Sequence, residues 1–304
     1  MEFTSTRGHA PIVDIARALK AGLAPDGGLY VPLALPRFDP EAFDAAASLP
    51  ELATHILAPF FEGSPLAKRL DPICREALNL PLPLRAMDGD APAWMLELFH
   101  GPTAAFKDFA ARFLARCLGA LATGPQHNRT VLVATSGDTG AAVAAAFHRQ
   151  PGFQVVILYP EGRVSGRQAH QLGAFGDNVR TFRVQGSFDD CQRLAKQALG
   201  DTDMVRRYSL TSANSISIGR LLPQISYYAL ASVRLGVHAP LDVIVPTGNL
   251  GNALACILAR DTGFPIRRVY LATNANRTLP EYFAGADYRG RAGLRTLANA
   301  MDVG

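Results

Sequence analysis

From Arg129 to Ala272 the chain alternates between two hydrophobic rhythms. Short apolar runs dense in Val, Ile and Leu give way to stretches whose apolar positions recur every third or fourth residue. "TVLVA", "FQVVILYP", "NVRTFRVQG", "LDVIVP" and "RRVYLATN" read as strands. "GDTGAAVAAAFHRQ", "SGRQAHQLGAFG", "SFDDCQRLAKQALG" and "GNALACILARDTG" read as the helices between them, the third with Ser187 as N-cap and Gly200 at its end. Strand runs that alternate with helical ones predict an α/β chain whose parallel sheet carries helices on both faces.

Residues 1–92 are patterned differently. They are rich in Pro and Leu, with short helical periods over Asp14–Ala21 and Glu51–Phe61. Asp26-Gly27-Gly28 is a turn signal ahead of a short apolar strand. "NLPLPLRAMDGDAPAW" reads as a linker or an irregular edge, and "WMLELF" as a strand. Beyond it, apolar residues at 106, 109, 110, 113, 114, 117, 118 and 121 mark a helix without a miss. Pro102 and Thr103 supply its start signal, which puts Lys107 in the first turn.

Composition narrows the classes. With 304 residues, 48% apolar and 18% charged, the chain has room for two domains and a large core. The net charge of +4 comes from scattered arginines, with no basic tract interleaved with aromatics, so a nucleic-acid partner is not expected. Mild basicity suits an anionic small substrate. Cys74, Cys117, Cys191 and Cys256 form no CxxC and read as buried thiols of a reducing compartment. The N-terminus carries charges where a signal peptide needs an apolar run, and no window is apolar enough to span a bilayer. A cytoplasmic protein with no membrane partner is expected. No HExxH, GxSxG or His/Cys cluster occurs, so no metal is expected.

Lys107 is one of four lysines. In a first turn its charge opposes the helix dipole, and none of Ala110, Ala111 and Leu114 is a partner acid. Burial and the helix end both push such an amine toward its neutral, nucleophilic form, able to condense with an aldehyde. Taken alone, a lysine snorkelling over the helix edge is the simpler account. Two strand-to-helix turns, "ATSGDTGAAV" and "PTGNLGNALA", offer free backbone N–H groups at helix starts, an arrangement that binds anions. Neither fits the dinucleotide or ATP fingerprints. The second, Gly248 to Asn252, suits a phosphate monoester; the first carries Ser136, Asp138 and Thr139. In "TSANSISIGRLLPQ", Asn214, Ser215 and Arg220 stand ahead of an apolar run, and arginine grips phosphate or carboxylate with a planar fork. His100 is a further candidate, with a packing or capping role the plainer alternative.

Together, "HGPTAAFKD", "TSGDTG", "ANSISIGRLLPQ" and "PTGNLGN", in this order, resemble the threonine synthases. "STRG", "GLAPDGGLYVP" and "VQGSFDDCQ" resemble the long form of that family, which adds an N-terminal domain. The resemblance implies a tryptophan-synthase-β-like fold (type II of the pyridoxal-phosphate enzymes). Its α/β core would be three-layer αβα with open parallel-type sheets, preceded by a mostly helical N-terminal extension. It implies an N-terminal domain over 1–92 and a cofactor-binding core over 93–304, with a smaller αβ subdomain roughly at 125–210.

The implied cofactor is pyridoxal 5'-phosphate, held by Lys107 as a Schiff base. Gly248, Asn249, Leu250, Gly251 and Asn252 would hold its phosphate, and Asp138 would lie near its 3-hydroxyl. Ser136 and Thr139 would contact substrate; Asn214, Ser215 and Arg220 would bind the phosphate of O-phospho-L-homoserine. The implied reaction makes L-threonine and phosphate from that substrate and water, the last step of threonine biosynthesis, in a monomer or homodimer. The alternatives are another lyase or dehydratase of the same fold, or an inactive fragment. Members of the family continue past "NAMDVG", so the sequence is expected to be a truncated piece, without the residue that faces the cofactor's ring nitrogen.

Overall fold

The structure is a computed structural model that describes residues 1–122, 128–214, 217–236 and 239–302. It opens with β1 (Glu2–Ser5), β2 (Val13–Asp14), α1 (Ile15–Ala21), β3 (Tyr30–Pro32), α2 (Leu49–Phe61) and α3 (Leu70–Ala77). The three strands pair antiparallel in the order β2–β1–β3. Both expected helices form. Asp14 caps α1, its carboxylate accepting from the Arg17 N–H at 2.7 Å. At α2, Ser48 and Glu51 make a capping box, which starts the helix two residues before the apolar pattern does.

The segment expected to be a linker or an irregular edge holds one strand of a short hairpin. β4 (Leu84–Ala86) pairs antiparallel with β5 (Trp94–Leu96). The Asp88-Gly89-Asp90 turn reverses the chain, with Gly89 at φ 157. The strands are short and mostly exposed, so no alternating pattern marks the first of them.

Then come α4 (Lys107–Ala120), β6 (Arg129–Ala134), α5 (Asp138–Phe147), β7 (Phe153–Pro160), α6 (Gly166–Gly173) and β8 (Val179–Val184). After them lie α7 (Phe188–Gly200), α8 (Thr202–Tyr208), β9 (Leu210–Ser212) and α9 (Ile218–Leu235). The run ends with β10 (Leu241–Pro246), α10 (Gly251–Asp261), β11 (Ile266–Ala272) and α11 (Thr278–Phe283). Helix α8 and the short β9 were not foreseen. Asp201 starts α8 by accepting from the Asp203 and Met204 N–H groups.

A four-stranded parallel sheet runs β8–β7–β6–β9, and β10 pairs parallel with β11. Side chains alternate across the larger sheet as strand geometry requires. Val131, Val133, Val155 and Ile157 join the main core with Ala141 and Val143 of α5. Leu132 and Ala134 point the other way, into a smaller cluster with Cys191 and Ala195 of α7. Helices therefore cover both faces, and the core is the expected three-layer αβα arrangement. Helix α9 is buried on every side from Ile218 to Val233, its polar Arg220, Gln224, Ser226 and Ser232 included, which makes it a central core helix. Phe61 of α2 meets Phe113 of α4 edge-on, centroids 5.9 Å apart, which joins the N-terminal residues to the same core. All four cysteines are buried free thiols. Among the described residues no helix is long and apolar enough to cross a membrane.

Candidate active site

The local fold delivers Lys107 to the head of α4 by a different route from the one the sequence suggests. Pro102 and Thr103 do not start the helix; Lys107 is its first residue. Thr103 instead donates from its N–H and its hydroxyl to the Asp108 carboxylate, at 2.9 and 2.7 Å. Buried Asp108 thus ties the preceding loop to the first turn. Gly101 permits the closure, because a Cβ there would lie 2.4 Å from an Asp108 oxygen.

The Lys107 side chain is 11% exposed, with Nζ 3.4 Å from Asp138 Oδ2 and 4.3 Å from the Phe106 ring centroid. Burial lowers its pKa from the ordinary lysine value; the Asp138 charge and hydrogen bond oppose that, and Arg220 adds to the lowering. The ion pair is invisible at helical spacing because the two residues come from different elements.

Asp138 opens α5, directly after the β6 turn. Thr135 Oγ1 accepts from the N–H groups of Gly137 and Gly140 at 3.0 and 2.9 Å, which folds that turn back on itself. Asp138 Oδ1 accepts from Gln168 Nε2 at 2.7 Å. Gln168 Oε1 accepts from Asn299 Nδ2 at 2.6 Å, and the same Asn299 amide reaches the Ser136 carbonyl at 3.3 Å. Ser136 and Thr139 flank Asp138, both half-buried.

The second glycine turn leads from β10 into α10. Leu250 precedes the helix in the left-handed region, φ 58. Gly248 lies against the chain near Met301: a Cβ there would be 2.7 Å from the Met301 Cα. The 299–301 segment therefore touches both glycine turns. Asn249 is exposed. Asn252 is buried, and its Oδ1 accepts from Tyr227 and Tyr228 hydroxyls at 2.6 and 2.8 Å, so only its amide nitrogen is left to donate to a ligand. Tyr227 packs edge-on against Phe109 at 5.7 Å, which links the α10 start to the lysine helix.

Arg220, in the first turn of α9, is fully buried. Its Nη1 donates to the Ala213 carbonyl at 2.8 Å. Its Nε, Asn214 Oδ1 and Ser217 Oγ are buried with no partner among the described residues. Unpartnered buried polar atoms are rare, and three at one strand-to-helix junction fit a polar ligand. Burial pushes the Arg220 pKa down to about 10, against the pull of Asp108. Ser215 lies outside the described residues. His100 is engaged elsewhere, bonded to Glu97 at 2.7 Å and stacked on Phe99.

Sequence reasoning missed the structural use of Asp108, and it missed Gln168, Asn299, Tyr227 and Tyr228. Gln168 has one local signal, the Ser165-x-x-Gln168 capping box, which says nothing of Asp138.

Two family patterns match the chain: "Threonine synthase N terminus" over residues 2–78 and "Pyridoxal-phosphate dependent enzyme" over residues 80–304. The chain is 40% identical to a threonine synthase of Serratia marcescens, over all of this chain and 71% of that protein. The crystal structure of threonine synthase from Escherichia coli superposes with a TM-score of 0.92 at 39% identity, covering 100% of this chain and 71% of that one. The pyridoxal-phosphate-bound threonine synthase from Brucella melitensis gives 0.88 at 38% identity, over 99% of this chain and 67% of that one.

Proposed function

The chain belongs to the threonine synthase family of pyridoxal-phosphate-dependent enzymes, and from that premise we propose that it converts O-phospho-L-homoserine and water into L-threonine and phosphate. Lys107 carries the reading: a buried amine at a helix head, its charged form disfavoured, facing one carboxylate at 3.4 Å. Only the neutral amine can bond a carbonyl carbon or take a proton.

The residues fit the cofactor. Gly248, Asn249, Leu250, Gly251 and Asn252 are assigned to its phosphate, through N–H groups at the α10 start and the spare Asn252 amide. Asp138 is assigned to its ring hydroxyl. When bound, pyridoxal phosphate supplies an electron sink for charge left on the substrate carbons. Lys107 holds it and then moves protons at the substrate's Cα and Cβ. Ser136 and Thr139 orient substrate by their hydroxyls. Asn214, Ser215 and Arg220 bind the substrate phosphate, and Arg220 stabilises its charge as it leaves; the unpartnered Arg220 Nε, a buried donor with no protein acceptor among the described residues, supports this assignment. Residues 1–92 are assigned as the N-terminal unit and 93–304 as the core, with a smaller αβ part at roughly 125–210; the four-stranded sheet of β6 to β9 supports the last of these.

The test is the product. Purified protein loaded with pyridoxal phosphate and given O-phospho-L-homoserine should release threonine and phosphate in equal amounts. Lys107→Ala should lower kcat by at least about 10²–10⁴-fold, the range of a lost general base. Ammonia and an oxoacid in place of threonine would favour a dehydratase of the same fold.

A further inference from the structure

Gln168 belongs to α6, yet its side chain reaches the α5 start and the 299–301 segment at once. We propose that Gln168 is a positioning residue for Lys107: it holds the Asp138 carboxylate by one oxygen so that the other stays turned to the lysine amine. The proposal deepens the assignment of Lys107 and Asp138 given above and rests on that reading.

The geometry leaves the amide one orientation. Oε1 accepts from the Ser165 N–H at 3.0 Å and from Asn299 Nδ2 at 2.6 Å. The NH₂ group must then face Asp138 Oδ1, which it does at 2.7 Å. The Gln168 N–H donates to Ser165 Oγ at 3.2 Å, so the capping box that starts α6 also fixes the root of the side chain. Gly137 lets the turn lie against the amide, since a Cβ there would be 2.5 Å from Gln168 Nε2.

Capping α6 requires only the bond to Ser165; the bond to Asp138 is additional. Asp138 needs it. Its side chain is 29% exposed, and without a second bond its carboxylate is free to turn toward water. The charged groups acting on Lys107 are Asp138, Arg220 and Asp108, and of these Asp138 alone hydrogen-bonds the amine. Gln168 carries no charge, so its influence on the amine passes through the place of that carboxylate.

The test reads Lys107 in the cofactor-free full chain, so it does not depend on which reaction is catalysed. The rate of Lys107 modification by an amine-selective acylating reagent, measured by peptide mass spectrometry from neutral to alkaline pH, gives the titration midpoint of the amine. Asp138→Asn should lower that midpoint, because it removes the group that favours the ammonium. Gln168→Met should lower it in the same direction, raising the labelling rate below the midpoint by about threefold, equivalent to half a pH unit. In the double variant the Met substitution should add nothing to Asp138→Asn, the result of two residues acting in series. Ser165→Ala, which removes the cap hydroxyl but keeps the residue-165 N–H and the Asn299 amide that hold Gln168 Oε1, should keep the wild-type midpoint. Where the Met variant fails to fold, Gln168→Ser takes its place, being polar at the helix start but too short to reach Asp138.

An unchanged or raised midpoint in the Gln168 variant overturns the proposal. So does an Asp138→Asn protein that titrates as wild type, or a Gln168 effect that survives in full without Asp138. Labelling as expected in a protein that makes no threonine would sink the proposed reaction and leave this inference standing; the reverse result would do the opposite.

Discussion

Lys107 shows how one side chain's chemistry comes from what surrounds it. Its pKa is lowered chiefly by burial, with Asp138 pulling the other way. That direction fixes the sign of the stability effect. Between the folded value and the ordinary lysine value of about 10.4, the unfolded chain binds the proton and the folded chain does not, so stability rises with pH across that window. Below the folded value the cost of burying the ammonium is fully present. Lys107→Met removes it and leaves Asp138 enough exposure to be solvated. The cofactor-free variant should therefore melt above wild type at neutral pH, and the gap should close as pH approaches about 10.4. Thermal scans across alkaline pH check this; a gap that does not change with pH contradicts it. The oddity of a first-turn lysine without an acid at helical spacing was legible in the sequence. Its real partner, 31 residues on, was not.

At the scale of elements, the site is built at the ends of strands. β6 and β10 each end in a turn that starts a helix, and each turn needs glycine for a stated reason: φ 142 at Gly137 and contact with the chain at Gly248. Gly137→Ala puts a Cβ into a backbone region that L-residues avoid and into the Gln168 amide. It should destabilise the protein by about 1–3 kcal/mol, the range for such backbone strain, read as a lower urea midpoint at unchanged slope. Parallel strands and their helices were legible because both periods are strong and local. Strand β4, which makes a hairpin of the expected strand at Trp94, and α8 were not. The first is mostly exposed and three residues long, and the second is a single capped excursion between α7 and β9.

For the molecule as a whole, one hydrophobic core runs from Phe3 to Ile266, through both the N-terminal helices and the sheet. Phe113 stands at the junction, fully buried in α4 and edge-on to Phe61 of α2. Phe113→Ala should cost about 3–5 kcal/mol, the range for emptying a buried aromatic site. Because the core is shared, far-ultraviolet and aromatic circular dichroism should shift together in denaturant. Loss of the N-terminal helices at a separate, lower midpoint would show that the two parts are held more loosely than their packing implies.

The sequence by itself determined most elements of the core, the lysine, both glycine turns and the arginine, since periodicity, turn chemistry and motif order are written within short stretches. Family resemblance named a reaction for them. Tertiary structure decided which groups meet: Asp138 on Lys107, Gln168 behind Asp138, Asn299 behind Gln168, and Asn252 bound to two tyrosines. The physical reason is range. A hydrogen bond acts over about 3 Å, whereas these partners lie far apart along the chain, and only the packed sheet and its covering helices bring them within reach.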